Sequence, residues 1–252
     1  MHKDWPHTLW IARHGQSAGN VARDAAEAAG LHVIDIAERD IDVPLSDLGQ
    51  QQSRALGRWF GEQPAGRKPD VILCSPYVRA RETARLVAET AGLDMKNVRM
   101  RVDERLREKE FGILDRLTHF GIREQYPQLS EQRGHVGKFY FRPPGGESWC
   151  DVILRLRSLV EMVAREHSLQ RVLVIAHQVT VNCLRYLLEN MDEAQILAID
   201  RLGDVPNCSV TSYEYDPLSD NMVADLVNFV APLREAGAPV TVEPDALAAP
   251  KP

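Results

Sequence analysis

Cysteine is scarce in this chain: four occur among 252 residues, at positions 74, 150, 183 and 208. No two stand at the Cys-x-x-Cys spacing of a zinc or dithiol site, and four scattered thiols cannot build a disulfide framework. They are expected to be reduced, with Cys74 and Cys183 buried. Long apolar runs are missing as well. None approaches the roughly 18 to 20 residues that span a bilayer. The opening Met1-His2-Lys3-Asp4-Trp5-Pro6 lacks the basic stretch and apolar segment of a secretory signal, so a cytoplasmic location is the expectation. Nor is there a surplus of positive charge, since 30 Lys and Arg face 36 Asp and Glu for a formal charge of -6. That balance disfavours nucleic acid or a membrane surface as partner, because both demand clustered positive charge. An anionic ligand would need a local exception.

What is present is the composition of a globular protein, 44% hydrophobic and 26% charged, with length for one medium-sized domain. Three β-branched or aliphatic runs, Thr8 to Ala12, Val71 to Cys74 and Val172 to Ala176, have the pattern of strands buried on both faces of a parallel sheet. Helical patterns lie between them. Leu48, Ala55, Leu56, Trp59 and Phe60 share one face behind an N-cap at Ser46, and Val152, Ile153, Leu156, Leu159, Val160 and Val163 do so behind Ser148. The alternation predicts an α/β fold, a three-layer α/β/α sandwich around a central, mostly parallel sheet. Residues 113–146 break the rhythm with aromatics, glycines, prolines and charges of both signs, and are read as a cap insertion covering the sheet edge. The domain is placed at 1–230. The last 22 residues, from Ala231, hold five prolines and little periodicity, which predicts a flexible tail.

Open α/β sheets bind ligands in the crevice outside the carboxyl ends of their strands. Here all three runs end in polar chemistry. The first leads into Arg13-His14-Gly15-Gln16-Ser17, the second into Ser75-Pro76-Tyr77-Val78-Arg79, the third into His177-Gln178. Two imidazoles and two guanidiniums therefore meet on one edge. Ser75 then Pro76 reads as a helix start with Ser75 as N-cap, which puts Arg79 in the first turn, where its fork of donors and the helix dipole address the same anion. A phosphoryl group accounts for this set. Arginines bind its oxygens bidentately, and a neutral imidazole is a nucleophile at physiological pH. The guanidiniums stabilise developing charge, so neither a metal nor another cofactor is expected. Gly15 is read as letting the backbone pass close to the ligand. A carboxylic acid of raised pKa would supply the leaving-group proton.

The run Arg13-His14-Gly15-x-Ser17-x-x-Asn20, together with Pro44-Leu45-Ser46-x-x-Gly49, Ser75-Pro76-x-x-Arg79-Ala80-x-x-Thr83-Ala84 and Ala176-His177, resembles the histidine phosphatase superfamily. That group includes cofactor-dependent phosphoglycerate mutases and fructose-2,6-bisphosphatase, and the likeness runs from about residue 8 to about 215. It implies that His14 is phosphorylated, that Arg13, Arg79 and His177 hold the phosphoryl oxygens, and that Ser17, Asn20 and Gln178 complete the phosphate site. The pattern Leu106-x-Glu108-x-x-x-Gly112 selects Glu108 as proton donor. The implied activity is that of a histidine acid-type phosphatase, a metal-independent hydrolase of phosphomonoesters working on a small phosphorylated metabolite.

Several readings stand side by side. Glu108 lies in Arg105-Leu106-Arg107-Glu108-Lys109-Glu110, from which Glu104 or Glu110 could also reach the pocket. Asn20 suits a helix cap as well as a phosphate, and Gln178 either offers its backbone N–H or only packs. The cap holds five basic residues (116, 123, 133, 138, 142) and three acidic ones (115, 124, 131), which favour an anionic substrate or are ordinary surface charges. Pro144-Gly145-Gly146-Glu147-Ser148 resembles a pocket loop of the bisphosphatase branch and equally a helix start. Val21 to Val43, rich in acids, either rims the pocket or forms a surface helix. A phosphoglycerate mutase is the first functional alternative. In those mutases Gly-Asn follows the second histidine and the donor motif contains Glu-Arg-His-Tyr-Gly, whereas this chain has Gln178-Val179 and Glu108-Lys109-Glu110-Phe111-Gly112. A non-catalytic binder of phosphorylated ligands is the second. Oligomeric state is open, a homodimer being one option.

Overall fold

The three apolar runs pair with one another at the centre of a six-stranded sheet in the computed structural model, which describes residues 5–242. They become β1 (Thr8–Arg13), β2 (Val71–Cys74) and, after β3 (Arg99–Val102), β4 (Arg171–Ala176). The strand order is β3-β2-β4-β1-β5-β6, with β5 (Val210–Asp216) and β6 (Asn221–Phe229) completing it. The first four strands are parallel, while β5 and β6 run antiparallel to their neighbours. Register carries the functional consequence. Arg13 lies beside Ala176 and Cys74 beside Ile175, so His14, Ser75 and His177 leave the sheet at one level.

The helices in chain order are α1 (Ala18–Ala28), α2 (Asp47–Glu62), α3 (Val78–Thr90), α4 (His119–Gln125), α5 (Pro127–Val136), α6 (Trp149–Glu166), α7 (Gln178–Leu188), α8 (Glu193–Leu202) and α9 (Ala231–Glu235). Burying both sheet faces requires two layers of helix. On one side Trp10, Ile72, Leu173 and Val210 pack with Leu56 and Phe60 of α2 and Val87 of α3. On the other Ile11, Leu73 and Val174 pack with Leu156 and Leu159 of α6 and Leu184 of α7. The expected N-caps are in place, Ser46 accepting from Gly49 N–H and Ser148 from Asp151 N–H.

Three expectations need correction. α3 begins at Val78 with Tyr77 as its N-cap residue and no side-chain cap, so Ser75 is not the cap. Its hydroxyl is engaged elsewhere, as described below. The cap, expected along a sheet edge, docks on the segment after α1. Ile34 N–H donates to Arg116 O and Thr118 N–H to His32 O, over a small core of Leu114, Leu117, Ile122, Leu129 and Phe141. Residues 231–242, expected in a flexible tail, include α9, whose Leu233 is fully buried against the α2–α3 layer. An apolar residue every few positions suffices to fix so short a segment where a groove awaits it. The rest of the expected tail, 243–252, lies outside the described residues. Among the described residues no helix is long and apolar enough to cross a membrane.

Candidate active site

The chain leaves β1 at Arg13 and must turn at once to start α1, so the loop between them is held almost entirely through its backbone. His14 N–H donates to Ala176 O at 3.0 Å, Gly15 N–H to Thr83 Oγ1 at 3.1 Å and Gln16 N–H to Gln52 Oε1 at 2.9 Å. Asn207 Nδ2 donates to His14 O at 2.9 Å. A Cβ on Gly15 would lie 2.4 Å from Gly49 O, and one on Gly49 would lie 1.9 Å from Gln16 O. Gly15 is therefore required by a close approach to the backbone of α2. Behind this loop lies a strap. Gln52 Nε2 donates to Pro239 O and Thr241 Oγ1, both at 2.9 Å, and Thr241 Oγ1 donates to Asn207 Oδ1 at 2.9 Å. Two of the three side chains that grip the loop, Gln52 and Asn207, are thus themselves gripped by residues 239–241.

His14 is 3% exposed. Its Nδ1–H donates to Gly15 O at 2.7 Å, a bond that leaves the lone pair on Nε2. Burial, then the charges of Arg79 and Arg13, push its pKa well below the ordinary 6.5 against the opposing Gly15 bond, so the ring is neutral at physiological pH. His177, wholly buried, has its ring 5.0 Å from that of His14. Its Nε2 shares a 2.7 Å hydrogen bond with Ser75 Oγ, which also accepts from Tyr77 N–H at 3.3 Å. With the Ser75 hydroxyl donating to Nε2, the ring proton is on Nδ1. That Nδ1 has no hydrogen-bond partner and stands 3.8 Å from Glu108 Oε2. Burial and the nearby arginines hold His177 neutral too.

Arg13 donates through Nη1 to Val205 O at 2.6 Å and to Gln178 Oε1 at 3.0 Å, and Gln178 Nε2 donates on to Asp204 Oδ1 at 2.9 Å. The Gln178 side chain therefore orients Arg13. Arg79, on the first turn of α3, lies over the Tyr77 ring at 4.7 Å and forks onto Asp40. Ser17 and Asn20 line the same cleft as Arg13, His14, Arg79 and Glu108. They also form a capping box, Asn20 Oδ1 accepting from Ser17 N–H and Oγ and Ser17 Oγ accepting from Asn20 N–H. The cap role open for Asn20 is real, and only its amide Nδ2 is left to face a ligand.

Of Glu104, Glu108 and Glu110 it is Glu108 that reaches the cleft, with 14% of its side chain exposed. Burial raises its pKa from 4.5 to about 7 and Asp40 adds to the rise, opposed by the Lys109 N–H bond and by Arg79 and Arg13. Glu110 turns away to Tyr77 Oη at 3.3 Å, and Glu104 is on the exposed turn before Leu106. A network missed in the sequence holds this loop. Glu147 receives Arg107 at 2.6 Å, Arg155 at 2.9 Å and Glu110 N–H at 3.1 Å, and Arg155 also donates to Glu108 O at 3.2 Å. The loop crosses Pro144–Gly146 at Gly112, which has φ +56° and where a Cβ would lie 2.1 Å from Pro144 O. Of the two readings of residues 144–148 the helix start holds, since Ser148 caps α6; none of these residues lines the cleft, and Glu147 braces the acid loop from behind.

The outer cleft comes from the segment after α1, with Ile34, Ile36 and Glu38, and from Phe111 and Arg116. Val21 to Val43 is therefore first a helix and then a rim. Of the cap's five basic residues only Arg116 lines the cleft. Arg142 pairs with Asp151, Lys138 with Asp200, and Arg123 lies over Phe120. Asp40 and Arg23 were not singled out within residues 21–43, because each acquires its place through a residue distant in the chain, Arg79 and Leu117 respectively.

Residues 9–225 match the model of the histidine phosphatase superfamily, branch 1. The phosphoglycerate mutase-like protein AT74H of Arabidopsis thaliana is 28% identical over 222 residues, 81% of this chain and 72% of that protein. A 2,3-bisphosphoglycerate-dependent phosphoglycerate mutase of Rhizobium etli is 31% identical over 204 residues, 79% of this chain and 87% of the mutase. Among solved structures, mycobacterial glucosyl-3-phosphoglycerate phosphatase in complex with VO3 superposes with a TM-score of 0.68 at 29% identity, covering 88% of this chain and 99% of that one.

Proposed function

This chain belongs to the histidine phosphatase superfamily, and from that premise we propose that it is a metal-independent phosphatase that cleaves phosphomonoesters of small metabolites through a phosphohistidine. The observation that carries the reading is the His14 ring, neutral, with its proton committed to Gly15 O and its Nε2 free. In the first step Nε2 attacks phosphorus in line, the P–O bond to the leaving group breaks, and Glu108 gives its proton to the departing oxygen. Arg13, Arg79 and the Nδ1–H of His177 receive the equatorial oxygens, supplying the charge stabilisation that the transfer needs. In the second step the Glu108 carboxylate takes a proton from water, whose oxygen attacks phosphorus. The N–P bond breaks, releasing inorganic phosphate and restoring both groups. A carboxyl that titrates near 7 serves both steps at neutral pH.

Hydrolysis is favoured over mutase chemistry because Gln178 is committed to Arg13 and Asp204, and Glu110 and Phe111 stand where the mutases carry His and Tyr. The test is to incubate chelator-treated protein with a panel of phosphorylated metabolites, including 3-phosphoglycerate with its 2,3-bisphosphate primer, following phosphate release and isomerisation together. Release that requires His14, judged with His14→Ala, and that survives chelation supports the proposal. Isomerisation without release overturns it in favour of a mutase, and neither activity with retained ligand binding overturns it in favour of a binding protein.

A further inference from the structure

Asp40 occupies the arginine that the phosphoryl group would need. It opens the single turn Asp40–Asp42 on the cleft rim and meets Arg79 three times. Its backbone carbonyl accepts from Arg79 Nη1 at 2.6 Å, its Oδ1 from the same nitrogen at 2.9 Å, and its Oδ2 from Nη2 at 3.3 Å. An arginine has five N–H donors, so this contact takes the majority of the fork. Arg79 is 7% exposed in its side chain and cannot swing out to a second partner without leaving the site, whereas Asp40 is 42% exposed and can.

Charge gives the contact its meaning. With His14 and His177 neutral and Glu108 protonated, the phosphoryl end of the cleft carries two fixed positive charges, Arg13 and Arg79, and one negative, Asp40. Tyr77, Glu108 and Asp115 feel the charge of Asp40, and the further cations of the cleft, Arg23 and Arg116, act on Asp115. A tetrahedral monoanion is neutralised with Asp40 in place. A dianion is not, since one of its oxygens would lie against a carboxylate on the same guanidinium, and like charges sharing a site repel strongly.

We propose that Asp40 is a specificity-determining residue of the phosphoryl site: a monoanionic tetrahedral group binds with Asp40 seated on Arg79, and a dianionic one binds only by displacing it. The proposal rests on the reading of this cleft as a phosphoryl site. It assigns two consequences. Asp40 weakens retention of inorganic phosphate, since the carboxylate returns to Arg79 as the dianionic product leaves. Binding of a dianion is also tied to movement of the Asp40–Asp42 turn, whose own bonds are Asp42 N–H to Arg39 O and Val43 N–H to Asp40 O.

Two probes of fixed charge test this without any titration: sulfate, a dianion, and methyl sulfate, a monoanion, each measured by calorimetry on the full chain and on Asp40→Asn. The expected result is sulfate binding tighter by about tenfold or more in the variant, with methyl sulfate changed by less than about threefold. Equal tightening of both, loss of both, or no change in either overturns the proposal, and loss of both would make Asp40 a residue that merely positions Arg79. Should Asp40→Asn fail to fold, hydrogen exchange on the unaltered chain decides. Faster exchange of the Asp42 and Val43 amides with saturating sulfate but not methyl sulfate supports displacement, and unchanged exchange overturns it. If the folded protein binds neither probe nor inorganic phosphate, the phosphoryl-site reading fails and takes the proposal with it, a result distinct from binding that ignores Asp40.

Discussion

A carboxyl group that titrates near 7 sets the working pH of this cleft. Glu108 must be protonated to serve a departing alkoxide, so kcat/KM on substrates with poor leaving groups should fall as pH rises through about 7. His14, held well below 6.5, stays neutral throughout that range and does not contribute to the limb. Glu108→Gln should lower kcat on a poor leaving group by about 10² to 10⁴, with a much smaller loss on an activated aryl phosphate. A parallel measurement of initial rates checks both, and full turnover on the poor leaving group would refute the assignment. The same raised pKa has a thermodynamic sign. The folded state binds this proton more tightly than the unfolded state does. Its contribution to stability is therefore complete below about 4.5 and is lost as pH rises through about 7. Glu108→Gln should be more stable than the parent at pH 8, by on the order of 3 kcal/mol, and indistinguishable from it in urea melts at pH 4.

Elements rather than single groups place that carboxyl. Arg155 on α6 and Glu147 just before it clamp the loop 105–110 from behind, each with 11% of its side chain exposed. Losing Arg155 leaves Glu147 with Arg107 and the Glu110 N–H and strands the carbonyl of Glu108, so Arg155→Leu should cost about 1 to 3 kcal/mol. The double substitution with Glu147→Leu should cost less than the sum of the two single changes, as urea denaturation of the four proteins will show. The clamp also marks where the sequence stopped being readable. β1, β2 and β4 were legible because all but one of their residues are buried, which forces apolar runs. β3, Arg-Met-Arg-Val on the sheet edge, is mostly exposed and has no such run. β5 buries Thr211 and Ser212, polar residues that break the apolar signature of a strand. The helix caps at Ser46 and Ser148 were legible because capping is local. Ser75 was misread because its hydroxyl answers to His177, 102 residues away. The same distinction divides the site. His14, Arg13, Arg79 and His177 follow strands or start helices and could be placed by topology, while Asp40 and the Arg155–Glu147 clamp depend on meetings that no local pattern announces.

At the scale of the whole molecule, the C-terminal end of the described chain reaches back to the loop that bears the nucleophile. Thr241 accepts from Gln52 and donates to Asn207, and those two hold Gln16 N–H and His14 O. Thr241→Val leaves two buried amides short of a partner, which costs about 1 to 3 kcal/mol. It should also lower kcat with little effect on KM, because it loosens the nucleophile loop and not the substrate's contacts. Thr241→Ser should restore both. Equal kcat for the valine variant and the parent would show that the strap bears on stability alone.

The strap has a consequence for the order in which this molecule comes into being. A ribosome delivers His14 early, but its carbonyl waits for an amide 193 residues later, and Gln52 waits 189 residues for Thr241. Every motif by which the chain is recognised has been synthesised by His177, well before the loop that bears the nucleophile can be closed. A gene product cut short in that interval would carry all the marks of its family and lack the brace that makes them act together.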